Sequence, residues 1–141
     1  MGGDMRRTLM LRAGTLIRNL ALTALVLAAL GPGPAFAEQR YPDVVSVEVR
    51  AWGDNVFDFD VTVSSPYDTP QRYADGFRVT APDGKALGER KLWHDHQGEQ
   101  PFTRDLYGVR IPAGIRKVFV QARDQKYGYG GKRVEAALPG R

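Results

Sequence analysis

From about residue 43 onward the chain alternates apolar and polar positions over short stretches. Val45, Val47, Val49 and Ala51 are separated by Ser46, Glu48 and Arg50, and the run stops at Gly53-Asp54-Asn55. Phe57, Phe59, Val61 and Val63 then alternate with Asp58, Asp60 and Thr62. A period of two is that of a strand with one face on a core, so these runs predict a hairpin. Residues 64–75 form a loop with Pro66 and Pro70, after which Phe77 and Val79 open a third strand. Pro82-Asp83-Gly84-Lys85 is a turn signal, because proline presets one central angle and glycine accepts a positive one. A fourth strand is expected over 86–93, a polar stretch over 94–104 and a fifth strand over 106–111. Pro112-Ala113-Gly114 turns the chain again. Ile115, Val118, Val120 and Ala122 mark a sixth strand, with room for a bulge at Arg116-Lys117. A glycine-rich loop over 124–131 precedes a last strand carrying Val134, Ala136 and Leu138.

Helical spacing is absent from this region. Seven short strands with turns every 8 to 12 residues predict an all-β, seven-stranded antiparallel β-sandwich of the immunoglobulin or fibronectin type III kind. If consecutive strands run antiparallel, their connections fall alternately at the two ends. The tight turns at 53–55, 82–85 and 112–114 then share one pole, and the three long connections share the other. Loops clustered at one pole of a rigid sandwich are where binding residues are commonly carried. The long-loop pole would gather Tyr67, Tyr73, Trp93, His94, His96, Glu99, Phe102, Tyr127 and Tyr129.

The first 37 residues have a different character. Arginines at 6, 7, 12 and 18 precede an apolar run over 20–30, LALTALVLAAL, and Ala35-Phe36-Ala37 reads as an A-x-A cleavage site. Eleven apolar-rich residues fall short of the ~20 that span a bilayer, so residues 1–37 are expected to be a signal peptide and 38–141 a single domain. No cysteine stands at the cleavage point for lipidation. The expected product is a periplasmic or secreted monomer with no membrane span after signal cleavage.

Removing the leader moves the charge. The full chain carries 20 basic and 16 acidic side chains, but the leader holds four arginines against Asp4, leaving 16 and 15. A domain so close to neutrality lacks the concentrated basic surface that phosphate backbones require, which argues against nucleic acid. The chain has no cysteine and all three methionines lie in the leader, so thiolate and thioether chemistry is excluded from the domain. About 100 residues bury roughly two-thirds of their unfolded surface, which is enough to fold without staples.

Hydrolytic chemistry finds little support. Beyond residue 37 the serines are Ser46, Ser64 and Ser65, none of them in a G-x-S-x-G elbow, and no phosphate-cradling glycine motif precedes a helix. Asp58 and Asp60, two apart on a strand, read as a solvated face rather than as the paired carboxylates of a glycosidase. The domain is therefore expected not to be an enzyme.

Two motifs carry other chemistry. The chain's two histidines, His94 and His96, lie in Trp93-His94-Asp95-His96-Gln97-Gly98-Glu99. In an extended segment residues two apart point to one side, ~6.5–7 Å between Cα atoms. Two imidazoles with Glu99 or Asp95 as a third donor would suit copper or zinc. H-x-H alone is a weak motif, and the alternative is a pair of loop histidines that are solvated or bonded to their own loop. Tyr127-Gly128-Tyr129-Gly130-Gly131 sets two rings on a permissive backbone. They either contact a ligand together with Tyr67, Tyr73 and Trp93, or cover the open end of the core. Arg104, Arg123 and Asp124 are expected to anchor the long loops by ion pairs, and Gln100, Pro101 and Thr103 to fix the return of the fourth connection.

Three stretches, DGFRVTAPDGKALGER, HDHQGEQPFTRDLYGVRIPAG and VFVQARDQKYGYGG, resemble a group of small exported bacterial proteins with an immunoglobulin- or fibronectin type III-like sandwich. The similarity covers residues 75–138. It implies a secreted sandwich domain and brings no activity with it. Two functions follow as expectations. The first is a non-catalytic binding or interaction module for a protein, glycan or envelope component, using the long-loop pole. The second is a periplasmic metal-handling protein with His94 and His96 as ligands.

Overall fold

A computed structural model describes Glu38–Arg141 together with Gly31 and Gly33. Apart from those two glycines, the leader and its cleavage site lie outside the described residues. Eight strands follow in order: β1 (Asp43–Gly53), β2 (Val56–Ser64), β3 (Ala74–Thr80), β4 (Ala86–Lys91), β5 (Phe102–Arg110), β6 (Lys117–Asp124), β7 (Gly128–Tyr129) and β8 (Val134–Ala137). They form two antiparallel sheets. One has the order β1-β2-β5, and the other β4-β3-β6 with both β7 and β8 paired to β6. The described residues contain no helix.

The sheets face each other across one core. Phe57, Phe59, Val61 and Val63 of β2 point inward at every second position, joined by Phe102 and Val109 of β5. Phe77 and Val79 of β3 meet them with Val118, Val120 and Ala122 of β6. Alternation therefore maps directly on to the two faces, as a half-buried antiparallel sheet requires. Residues 38–141 form an all-β sandwich.

Four details differ from the expected pattern. In β1 the buried valine is Val44, while Val45 is 45% exposed and Ala51 is also exposed. The pairs Val44–Val63 and Ser46–Thr62 leave Val45 as an extra residue, and this bulge shifts the phase of the alternation at the start of the strand. Val47 and Val49 still pack against the core. β5 starts four residues earlier than its apolar run, because Phe102 pairs with Val63 and fills the core from within a polar stretch. β6 starts at Lys117, pairs with β8 without a bulge, and leaves Ile115 in the preceding turn, where its N–H donates to the Pro112 carbonyl. The final edge is interrupted: β7 pairs with Arg123 and Asp124, and β8 with residues 117–120.

Candidate functional site

The three long connections, residues 65–73, 92–101 and 125–133, are bonded to one another. Asp68 joins the first two. Its fully enclosed carboxylate accepts the Ala74 N–H at 3.0 Å through Oδ1 and the His96 N–H at 3.0 Å through Oδ2. Gln100 reinforces that junction, accepting the Ser65 N–H at 2.7 Å and donating to Ser65 Oγ and the His96 carbonyl, each at 3.2 Å. Tyr73 ties both neighbours, since its hydroxyl donates to the Trp93 carbonyl at 3.3 Å and its carbonyl accepts the Gln125 N–H at 3.0 Å.

A second junction centres on Asp124, the last residue of β6. Its buried carboxylate accepts the Tyr67 hydroxyl (2.7 Å), Arg72 Nε (3.1 Å) and the N–H groups of Lys126 and Tyr127 (both 2.8 Å). Burial works against its ionisation, but the bonds from Tyr67, Tyr127, Arg72 and Lys126 outweigh burial and hold it below the usual carboxylate range. Tyr67 is pushed the other way, by burial first and by the Asp124 carboxylate it faces. The Arg72 guanidinium lies between two aromatic rings, 4.4 Å from the Tyr67 centroid and 5.0 Å from that of Tyr127. It also donates to the Arg40 carbonyl at 2.6 Å. An arginine within cation–π distance of two rings and bonded to a carboxylate is held as a strut.

The sequence-derived residues thus divide by role. Tyr67 is consumed by the Asp124 junction and Tyr73 by the loop tie. Trp93 remains 75% exposed, with Lys91 Nζ 4.4 Å from its ring centroid. Tyr127 is 42% exposed, edge-on to Tyr41 and flanked by Arg40, Arg72 and Lys126. Tyr129 is turned on to the outer face of the larger sheet. There its ring lies 3.8 Å from the Arg78 guanidinium carbon, its hydroxyl donates to Glu89 at 3.2 Å, and burial together with Glu89 pushes its pKa up to about 12. It lines a cavity of about 270 Å³ with Asp75, Gly76, Glu89, Arg90, Lys91 and Arg123. Asp75 is ion-paired to Arg123 through Oδ2 and has a buried, unpartnered Oδ1. Gly76 is required where it stands, because a Cβ would come within 2.7 Å of the Arg90 carbonyl oxygen.

The two histidines are neighbours, with ring centroids 4.9 Å apart. His96 is buried and stacks on Phe102 at 3.9 Å, and its Nδ1 has no hydrogen-bond partner. Burial, then the Arg104 and His94 charges, depress its pKa. His94 is exposed, its Nδ1 2.8 Å from the Asp95 carbonyl. Of the two suggested third ligands, Asp95 accepts the Gln97 N–H at 3.2 Å and Glu99 makes a two-pronged ion pair with Arg104 at 3.1 and 3.3 Å. That pairing, first through its hydrogen bonds, holds Glu99 below its ordinary range. Among the described residues no group of three His, Asp or Glu side chains is arranged to hold a metal.

Sequence reasoning missed Asp68, the hub of the first junction, and Arg72, the strut of the second. No spacing signals either one. Asp68 sits in an ordinary S-P-Y-D-T-P turn, and only its neighbours in space reveal its role. Comparison with protein-family models, with curated proteins and with solved structures found no match.

Proposed function

We propose that this chain is an exported, non-catalytic binding or interaction module, periplasmic or secreted. Its long-loop pole would engage a protein, glycan or envelope component. The observation that carries this reading is the contrast within the pole. A closed polar network around Asp68 and Asp124 fixes three loops, yet Trp93 stands 75% exposed beside them with Tyr127 also accessible. Rigid loops that present aromatic side chains lose little conformational entropy on association, and Trp and Tyr are enriched among residues that dominate binding energy. The division into β1-β2-β5 and a larger sheet supports the fibronectin type III-like reading of the sandwich.

A photo-crosslinking residue in place of Trp93 tests the pole. Irradiation of cells carrying the Trp93→p-benzoylphenylalanine variant should give a discrete adduct that is lost when Tyr127→Ala is added. The same residue at Ala113, in a tight turn, should give none. Equal adducts at both positions, or none at either, would remove the pole as the interaction surface. Trp93→Ala should leave stability within about 0.5 kcal/mol, as expected of an exposed side chain.

One observation favours the metal-handling reading: the unpartnered His96 Nδ1 beside a second imidazole. Under that reading Cu(II) or Zn(II) binds the purified protein with sub-micromolar affinity, and His94→Ala, an exposed change that spares the Phe102 stack, abolishes it. Binding that survives His94→Ala, or no binding by the unaltered protein, would eliminate it.

A further inference from the structure

A second aromatic site lies on the outer face of the smaller sheet, built from residues that the pole does not use. β1 and β5 both flank β2, and each carries an irregularity near the start of β2, in β1 opposite Val56 and Phe57 and in β5 opposite Asp58. In β1 the pairs Ala51–Phe57 and Gly53–Val56 leave Trp52 as an extra residue. In β5 the pairs Phe57–Val109 and Phe59–Leu106 set Tyr107 and Gly108 together opposite Asp58. Bulges re-aim side chains and are over-represented both at sheet edges, which β1 and β5 are, and next to active sites. Here two of them, on opposite sides of one strand, carry aromatic rings into a common cleft of about 350 Å³ lined by Trp52, Asp58, Tyr107 and Gly108.

The cleft is held in shape. Gly108 adopts φ +68°, a conformation that disfavours any side chain, and the position a Cβ would take there is open space. Its N–H donates to Asp58 Oδ1 at 2.8 Å, which fixes the carboxylate and leaves Oδ2 without a donor among the described residues. The Tyr107 hydroxyl donates to Asp60 Oδ1 at 3.2 Å, and Asp60 Oδ2 accepts Arg50 Nη1 at 2.7 Å. The tyrosine is thus pinned at its tip while its ring stays open. Trp52 is 75% exposed and Tyr107 54% exposed, so two large rings stand in water on either side of a fixed carboxylate.

We propose that this cleft binds a neutral hexopyranose unit of a glycan chain. The C–H face of a pyranose is apolar and stacks on aromatic rings, while its hydroxyls are donors that a carboxylate accepts with charge-assisted strength. The cleft falls within the ~300–1,000 Å³ of small-molecule sites. Asp58 and Asp60 disfavour anionic sugars. The inference is independent of the pole and stands or falls without it.

The test uses the purified protein and three uncharged probes, cellohexaose, maltohexaose and chitohexaose, followed by calorimetry and by the two indole N–H resonances. At least one probe should move the Trp52 resonance saturably and leave that of Trp93 in place. Trp52→Ala and Tyr107→Ala should each weaken binding by about tenfold or more, the scale of one lost aromatic contact. Asp58→Asn keeps the Oδ1 acceptor for Gly108 and should also weaken binding, whereas Trp93→Ala should bind as the unaltered protein does. All four positions are partly or fully exposed, so matching thermal unfolding curves certify the fold. Should Tyr107→Ala unfold, Trp52→Ala and Asp58→Asn decide alone. Three outcomes overturn the proposal: no saturable shift of Trp52 with any probe at millimolar concentration, unchanged affinity in Trp52→Ala, or a Trp52 shift with tetramethylammonium and with none of the sugars.

Discussion

Asp124→Ala is expected to lower the unfolding free energy by about 3–5 kcal/mol, measured as a fall in the urea midpoint at constant slope. The change removes a buried carboxylate that satisfies four donors and leaves Arg72 between two rings without its counter-charge. Arg72 keeps its bond to the Arg40 carbonyl and its contact with Glu38, which places the loss nearer the lower bound. The pH dependence gives a second readout. Because Asp124 is held below its ordinary pKa in the folded state, the unfolded chain binds the proton first as the medium is acidified. Its stabilisation is complete above the unfolded value of about 4 and is lost as pH falls through the depressed folded value. Asp124→Asn should therefore be less stable than the unaltered protein at neutral pH, with the gap closing in acid. Parallel stability curves for the two would show that the carboxylate's charge contributes nothing.

Phe102→Ala should cost about 3–5 kcal/mol in the same measurement, the range for deleting a buried phenylalanine. Phe102 is enclosed between the sheets and also forms the floor on which His96 stacks. The substitution therefore has a local consequence besides the global one. Burial is the first cause of the depressed His96 pKa, ahead of the Arg104 and His94 charges. Opening the floor to water should move His96 up toward the ordinary value of about 6.5, read from the pH dependence of its ring resonances. The sign for stability follows. An imidazole kept neutral in the fold takes up its proton more readily in the unfolded chain, so its contribution is present above about pH 6.5 and declines as pH falls through the folded value. A His96 titration unchanged in Phe102→Ala would shift the cause to the two neighbouring charges.

The alternation of Phe57, Phe59, Val61 and Val63, or of Phe77 and Val79, needs no partner to be read, because side chains on successive strand residues take opposite faces whatever they pair with. The turn at 82–85 is equally local. Register is different. Val45 joined the apolar run on periodicity, and only its position between the Val44–Val63 and Ser46–Thr62 pairs turned it outward. Phe102 was hidden in a polar stretch because a single apolar residue has no period.

The candidate sites divide along the same line. That three long connections would meet followed from strand parity alone, and the bonds among Asp68, Tyr73, His96 and Gln125 bring them together. Which of the gathered side chains would be spent on holding the pole was not legible. Tyr67 and Tyr127 look alike in sequence, yet one hydroxyl is bound to Asp124 and the other ring faces water. Trp52, Asp58 and Tyr107 belong to three strands, and nothing in their spacing unites them.

The amino-acid order by itself determined the all-β class, the core faces of the central strands and the grouping of the long loops, since each depends on period two and on local turn chemistry. Only the tertiary structure decided the bulges, the hydrogen-bonded hubs at Asp68 and Asp124, and the juxtaposition of aromatic rings on the smaller sheet. Those depend on partners as much as 57 positions apart in the chain, and the identity of a partner at that distance is not written in either residue.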